Sequence, residues 1–255
     1  MTLRELDTYF DSILQREKYE SDPSQNGIQV ENEGPETQEI TTVAFAVDAC
    51  LETIQRCVQV KAQVLVVHHG LFWDQEQVIT KGHYKRIATL IKNNIALYAS
   101  HIPLDANALV GNNYGIASRL SLCDCQKFGF WRGMDIGVKG SLSKPLPIDK
   151  VVSLLFPDGE KPSSVLPFGK KEIQTVGIIS GGGGSDLGDA ISEKLDLYIT
   201  GEIGHEQYHE ALENKINVIA GGHYQTETVG VNLLRLQLER EKNIKTVFID
   251  VPTGL

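Results

Sequence analysis

The chain has 255 residues, enough to bury one large core or two smaller ones. With 41% hydrophobic and 22% charged residues it has an ordinary globular balance, and Lys+Arg 24 against Asp+Glu 33 leaves a net charge of −9. That charge, without a basic cluster, argues against a nonspecific nucleic-acid surface. The longest apolar runs (VLVV, 64–67) are too short to span a bilayer, and the charged stretch MTLRELDTYFDSILQREKYE lacks a signal peptide's apolar core. A soluble, cytoplasmic protein is the expectation.

Leu3, Leu6, Phe10, Ile13 and Leu14 form an apolar stripe at helical spacing, predicting an amphipathic helix over 3–17. Strand 41–48 (TTVAFAVD), helix 51–61, strand 63–67 (QVLVV), helix 83–93, strand 95–100 (IALYAS) and helix 107–120 follow in alternation. The stretch 121–172 is less regular, with a strand at 134–141 and a short helix at 147–155. Its prolines Pro145, Pro147, Pro157, Pro162 and Pro167 mark loops at the join between halves. Alternation then resumes through strand 173–180, a GGGGS turn, helix 185–193, strand 195–200, helix 204–213, strand 216–221, helix 226–240 and strand 246–251. Strands alternating with helices imply parallel pairing with helices on the sheet faces. The fold class is therefore α/β: two pseudo-equivalent lobes, 1–125 and 126–255, with mainly parallel sheets flanked by helices and a metal site in the cleft between them. The two lobes can also be counted as one domain.

Ligands of open α/β sheets collect at the carboxyl ends of strands, so the residues just past each predicted strand carry the functional signal. His68 and His69 follow strand 63–67; His101 and, four residues on, Asp105 follow strand 95–100; Glu202 follows strand 195–200; His223 and, four residues on, Glu227 follow strand 216–221. Imidazole with carboxylate suits Zn²⁺, Mn²⁺ or Fe²⁺, whereas an all-oxygen set would suit Mg²⁺ or Ca²⁺. His223 and Glu227 share a helix face. A carboxylate such as Asp105 can bridge two cations, and two adjacent histidines serve two neighbouring metals more readily than they chelate one. Each motif alone is weak; their joint placement at strand ends is the argument. His83 and His209 fall inside predicted helices and read as surface residues. Phe72, Trp73 and Tyr224 read as aromatic packing at the rim, with stacking on a base as the alternative.

Cys50, Cys57, Cys123 and Cys125 form no CxxC pair and read as unpaired thiols, Cys123 and Cys125 being set aside as a metal pair. GGGGS (181–185) could cradle a phosphate on its backbone amides, but it lacks a P-loop lysine and reads as a tight turn.

VVHHGLFW, SHIPLD, YITGE and GGHYQTETVG, in that order, resemble the NGG-interacting-factor-like family, whose bacterial members are labelled GTP cyclohydrolase 1 type 2 homologues. PSQNGIQVEN (23–32) looks like that family's N-terminal signature, and the match runs from about residue 3 to 252. The resemblance implies a two-lobed α/β fold assembled as a toroidal homohexamer, a trimer of dimers, with a dinuclear metal centre facing an internal cavity. Carried over by motif, the ligands of the two divalent ions (Zn, Mn or Fe) are His68, His69, Asp105, His223 and Glu227, with Asp105 and Glu227 bridging. His101 is implied as a near-site residue that shuttles protons. The ferredoxin-like insert of longer members has no room here. The implied activity is that of a metal-dependent hydrolase of a nucleotide, with GTP as candidate: a metal-bound hydroxide opens the guanine imidazole ring and formate leaves. The competing reading is a non-catalytic metal-binding hexameric scaffold or regulatory protein. Five ligands for two metals leave positions open for water, which favours the hydrolase. A DNA-associated role finds little support in so acidic a chain.

Overall fold

The structure is a computed structural model describing residues 1–255. By its contacts the chain divides into two units, Met1–Val110 with Gly230–Val251, and Gly111–Val229 with Pro252–Leu255. The first unit contains α1 (Leu3–Leu14), β1 (Gly27–Val30), β2 (Thr42–Asp48), α2 (Leu51–Gln59), β3 (Val64–His69), α3 (Lys81–Lys92), β4 (Ala96–Ala99) and α4 (Ile102–Asp105). The second contains α5 (Asn112–Arg119), β5 (Cys123–Trp131), β6 (Met134–Pro147), α6 (Ile148–Leu155), β7 (Ser164–Pro167), β8 (Glu172–Ile179), α7 (Leu187–Ser192), β9 (Leu197–Thr200), α8 (His205–Asn214) and β10 (Asn217–Ala220). Helix α9 (His223–Lys242) begins in the second unit and ends in the first, where β11 (Lys245–Phe248) follows it.

The first sheet has the order β1-β4-β3-β2-β11. β11, β2, β3 and β4 are parallel, and β1 adds an antiparallel edge. Period-2 alternation sorts its side chains onto two faces. Val43, Phe45, Val64, Val66 and Tyr98 pack with Leu3, Leu6 and Phe10 of α1 and Leu234 of α9, while Ala44, Leu65, Val67 and Leu97 pack with Ile54 of α2 and Leu90 of α3. Helices cover both faces, which is why these strands read as unbroken apolar runs. Thr2 caps α1: its hydroxyl accepts from the Glu5 amide (3.3 Å) and the Glu5 carboxylate accepts from the Thr2 amide (2.8 Å). The helix stops at Leu14, short of the predicted residue 17, because Gln15 turns left-handed at φ 50°.

The second sheet, β5-β6-β8-β9-β10-β7, is mixed. β8, β9 and β10 are parallel, but β5, β6 and β7 add antiparallel pairings. The irregular stretch 121–172 supplies these. Arg132 (φ 49°) and Gly133 (φ 86°) form the two-residue turn of the β5–β6 hairpin, with the two left-handed residues such a turn requires. The predicted helix 107–120 is also broken. The Asn107 side chain accepts from the amides of Leu109 and Val110, a local turn that competes with helix, and α5 starts only at Asn112. No helix is long and apolar enough to cross a membrane.

Phe10 is fully buried and packs on Phe45 and Tyr98, with ring centroids at 6.4 and 5.0 Å. Phe10→Ala should lower stability by about 3–5 kcal/mol, read from the midpoint of urea unfolding.

Candidate metal centre

In the first unit, β3 does not end before its two histidines: it runs through His69, which pairs in register with Asp48 of β2. His68 is fully buried and His69 half-buried, on opposite faces of the strand, yet their ring centroids are 4.7 Å apart. His101, just past β4, brings a third imidazole, with centroids 5.1 Å from His68 and 5.8 Å from His69. One ring nitrogen of each lies within 4.8 Å of those of the other two. Asp105, the last residue of α4, is buried and places Oδ2 3.5 Å from Nε2 of His68.

Each ring is oriented by an acceptor at Nδ1. His68 Nδ1 bonds the Ser100 carbonyl (2.9 Å), His69 Nδ1 bonds Asp48 Oδ1 (2.8 Å) and His101 Nδ1 bonds Asp22 Oδ1 (2.8 Å). Carbonyl and carboxylate oxygens only accept, so the proton sits on Nδ1 and the neutral ring offers its lone pair at Nε2. Metal-ligating histidines show this arrangement, because the outer bond fixes the tautomer and raises ligand basicity.

The segment Asp22–Gln29 braces this group. Asp22 accepts from Ser24 N, Asn26 Nδ2 and Ile102 N as well as from His101, and Asn26 Oδ1 accepts from the His101 amide. Burial alone would raise the Asp22 carboxyl, but the hydrogen bonds it accepts from His101, Asn26 and Ser24 hold it below the usual carboxylate range. Gln29 Oε1 accepts from the Leu71 amide (2.6 Å), which ties down the loop after β3. Trp73 stands edge-on to His101, its centroid 5.1 Å away, so it packs on the histidines. Phe72 packs edge-on against His83, and Tyr224 is buried, both as the packing reading expects.

In the second unit, His223 and Glu227 lie one turn apart at the start of α9, with His223 Nε2 3.1 Å from Glu227 Oε1. His223 Nδ1 is held by Glu202 Oε1 at 2.5 Å, the same outer bond again. The GGGGS turn sets this geometry. Gly181, at φ +61°, accepts at its carbonyl from the amides of Gly201 and Glu202 and donates its own amide to Thr226 Oγ1. A Cβ on Gly181 would stand 2.1 Å from Glu227 Oε1 and 3.2 Å from His223 Nε2, so the turn is a wall of the site.

These donor sets fit a divalent transition metal. A lone pair on Nε2 facing a carboxylate oxygen at 3.1 Å, and at 3.5 Å in the His68–Asp105 pair, needs a positive centre: a second proton on the ring, or a cation that both atoms ligate. Asp22 and Asp48 were not singled out in the sequence; Glu202 was, whereas Gln29 and Gly181 lay in stretches noted for other reasons. His209 is exposed as expected, whereas His83 is half-buried, its pKa lowered by burial and by Arg86.

The fold and the donor sets define an α/β protein with histidine–carboxylate groups at the ends of its strands. The chain belongs to the Duf34/NIF3 (NGG1p interacting factor 3) family, which it matches over residues 1–254. It is 43% identical to a Treponema pallidum protein and 41% identical to one from Pyrococcus abyssi, over the whole of each chain in both cases. Both are named GTP cyclohydrolase 1 type 2 homolog. It is also similar to a crystal structure from Thermus thermophilus, with TM-score 0.89 and 38% identity over all of both chains.

Gly181→Ala should reduce metal content per chain with the fold intact by circular dichroism. Gly182→Ala, at φ −78° and with its nearest atom 3.8 Å away, should retain metal. Equal metal content in the two variants would remove Gly181 from the site.

Proposed function

We propose that His68, His69, Asp105, His223 and Glu227 together hold two divalent metal ions per chain, and that the protein is a metal-dependent hydrolase of a nucleotide or related phosphate-bearing small molecule. The observation that carries this reading is the common anchoring of the imidazoles, each with Nδ1 on an oxygen acceptor, and with Nε2 of His68 and His223 facing a carboxylate oxygen. Asp105 and Glu227, each beside an Nε2, are the bridging carboxylates of this reading. When bound, such ions lower the pKa of water and polarise an electrophile. Five ligands for two ions leave coordination positions for water and substrate, as hydrolytic sites do and closed structural sites do not. His101, its Nδ1 held by Asp22, moves a proton at Nε2.

GTP is the first substrate to test, because the name borne by the relatives points to opening of the guanine imidazole ring with release of formate. The same reading includes a homohexamer, a trimer of dimers. It also includes a cytoplasmic location, which suits four cysteines that form no disulfide.

Metal content by mass spectrometry, on protein purified without chelator, should give about two ions per chain, with fewer in His68→Ala and in His223→Ala. Asp105→Asn should lose metal while the fold persists. Little or no metal in the native protein after reloading with zinc, manganese or iron would overturn the reading. Full metal without turnover of any nucleotide would leave a metal-binding scaffold instead. In a protein that does turn over, His101→Ala should keep the metals and slow hydrolysis; loss of metal would make His101 a ligand.

A further inference from the structure

The Asp22 carboxylate is the most heavily bonded buried acid beside the histidine group, and neither the family match nor the ligand set assigns it a role. Its side chain is fully buried, and each of its oxygens accepts twice: Oδ1 from Ser24 N (3.0 Å) and His101 Nδ1 (2.8 Å), Oδ2 from Asn26 Nδ2 (2.8 Å) and Ile102 N (3.0 Å). The backbone on either side of His101 is held by the same network, through Asn26 Oδ1 to the His101 amide and Asp22 Oδ2 to the Ile102 amide. A carboxylate with four donors directed at it cannot also donate, so the proton it shares with His101 belongs to Nδ1.

We infer that Asp22 is a positioning residue for His101. It fixes the Nδ1–H tautomer and the ring orientation, and so turns the Nε2 lone pair towards the side of the site where His68 and His69 lie. The inference rests on the metal-dependent hydrolase reading for its use but not for its geometry. Loop bracing by itself would need only the contacts to Ser24, Asn26 and Ile102. The fourth, to the imidazole, is the one that acts on chemistry, because it decides which ring nitrogen carries a lone pair. In Asp22→Asn the side chain must turn its amide NH₂ towards one of the two donor pairs. Turned towards His101, it forces the ring into the opposite tautomer, with Nδ1 accepting and Nε2 protonated.

Neutron diffraction from crystals of the perdeuterated, zinc-loaded full chain at mildly alkaline pH reads the tautomer directly. The native protein should carry deuterium on Nδ1 of His101 and none on Nε2, and Asp22→Asn should carry it on Nε2. Asn26→Ala loosens the same loop but keeps the carboxylate, so it should leave the tautomer as in the native protein. Deuterium on native Nε2, or an unchanged ring in an Asp22→Asn protein whose amide nitrogen faces His101, overturns the inference. The native measurement decides even if Asp22→Asn fails to fold. In solution, Asp22→Asn should slow nucleotide hydrolysis about 10- to 100-fold, and that loss should vanish in a His101→Gln background. Additive losses would show that Asp22 acts on the fold alone. A native protein that hydrolyses nothing would sink the hydrolase reading, while the neutron result would still judge the role of Asp22.

Discussion

An imidazole can offer a metal its Nε2 lone pair reliably only when its other nitrogen is committed elsewhere, and much of this fold serves that requirement. Four rings meet it with four different partners: the carbonyl of Ser100, and the carboxylates of Asp48, Asp22 and Glu202. The strand pairings set the first two. Parallel register places Asp48 beside His69, and the Ser100 amide bonds the Val67 carbonyl, which brings the Ser100 carbonyl within reach of His68. A one-residue slip would turn His68 and His69 to the opposite faces and abolish both bonds. In this register Val43, Phe45, Val64 and Val66 are buried on one face and Ala44, Leu65 and Val67 on the other. The hydrophobic cores and the orientation of the two imidazoles are thus coupled through the same strands.

The second unit reaches the same end by different means. No strand pairing orients His223. Instead the turn after β8 folds back so that the Gly181 carbonyl collects the amides of Gly201 and Glu202, which fixes the residue that holds His223 Nδ1. The same turn presents only a hydrogen where any other residue would present Cβ, and Glu227 fills that space. The glycine at position 181 is therefore demanded twice, by its left-handed φ and by the carboxylate in front of it.

Most of the architecture was legible because its signal is local. Buried parallel strands give apolar runs of four to six residues, and the helices between them carry their own stripes. The candidate ligands could be picked out for a related reason: they sit at strand ends, and strand ends can be counted. What escaped lies in remote pairings. Asp22 meets His101 across 79 positions, and Gln29 meets Leu71 across 42; nothing near either residue marks the partner. The β5–β6 hairpin escaped because its turn residues, Arg132 and Gly133, are not the Asn-Gly or Asp-Gly that announces such turns. The breaks were missed because each rests on one residue: Gln15 turns its backbone left-handed, and the Asn107 side chain holds a local turn against the propensity of its neighbours.

His205 to His209 reads HEQYH on α8, the H-E-x-x-H spacing of a zinc-binding helix. Both histidines are exposed, their ring centroids are 6.3 Å apart, and His209 packs edge-on against Tyr208. The spacing is right, but the rings rest on each other and on an aromatic face, and neither is oriented by an oxygen at Nδ1. His68 and His69 have a far less diagnostic spacing, two adjacent residues on a strand, yet each ring is fixed from behind. Helical periodicity can bring two imidazoles to one face at no cost, whereas a buried acceptor behind each ring requires partners from distant parts of the chain. The outer bonds of an imidazole, more than the interval between two of them, therefore separate the oriented histidines of this protein from its solvated ones.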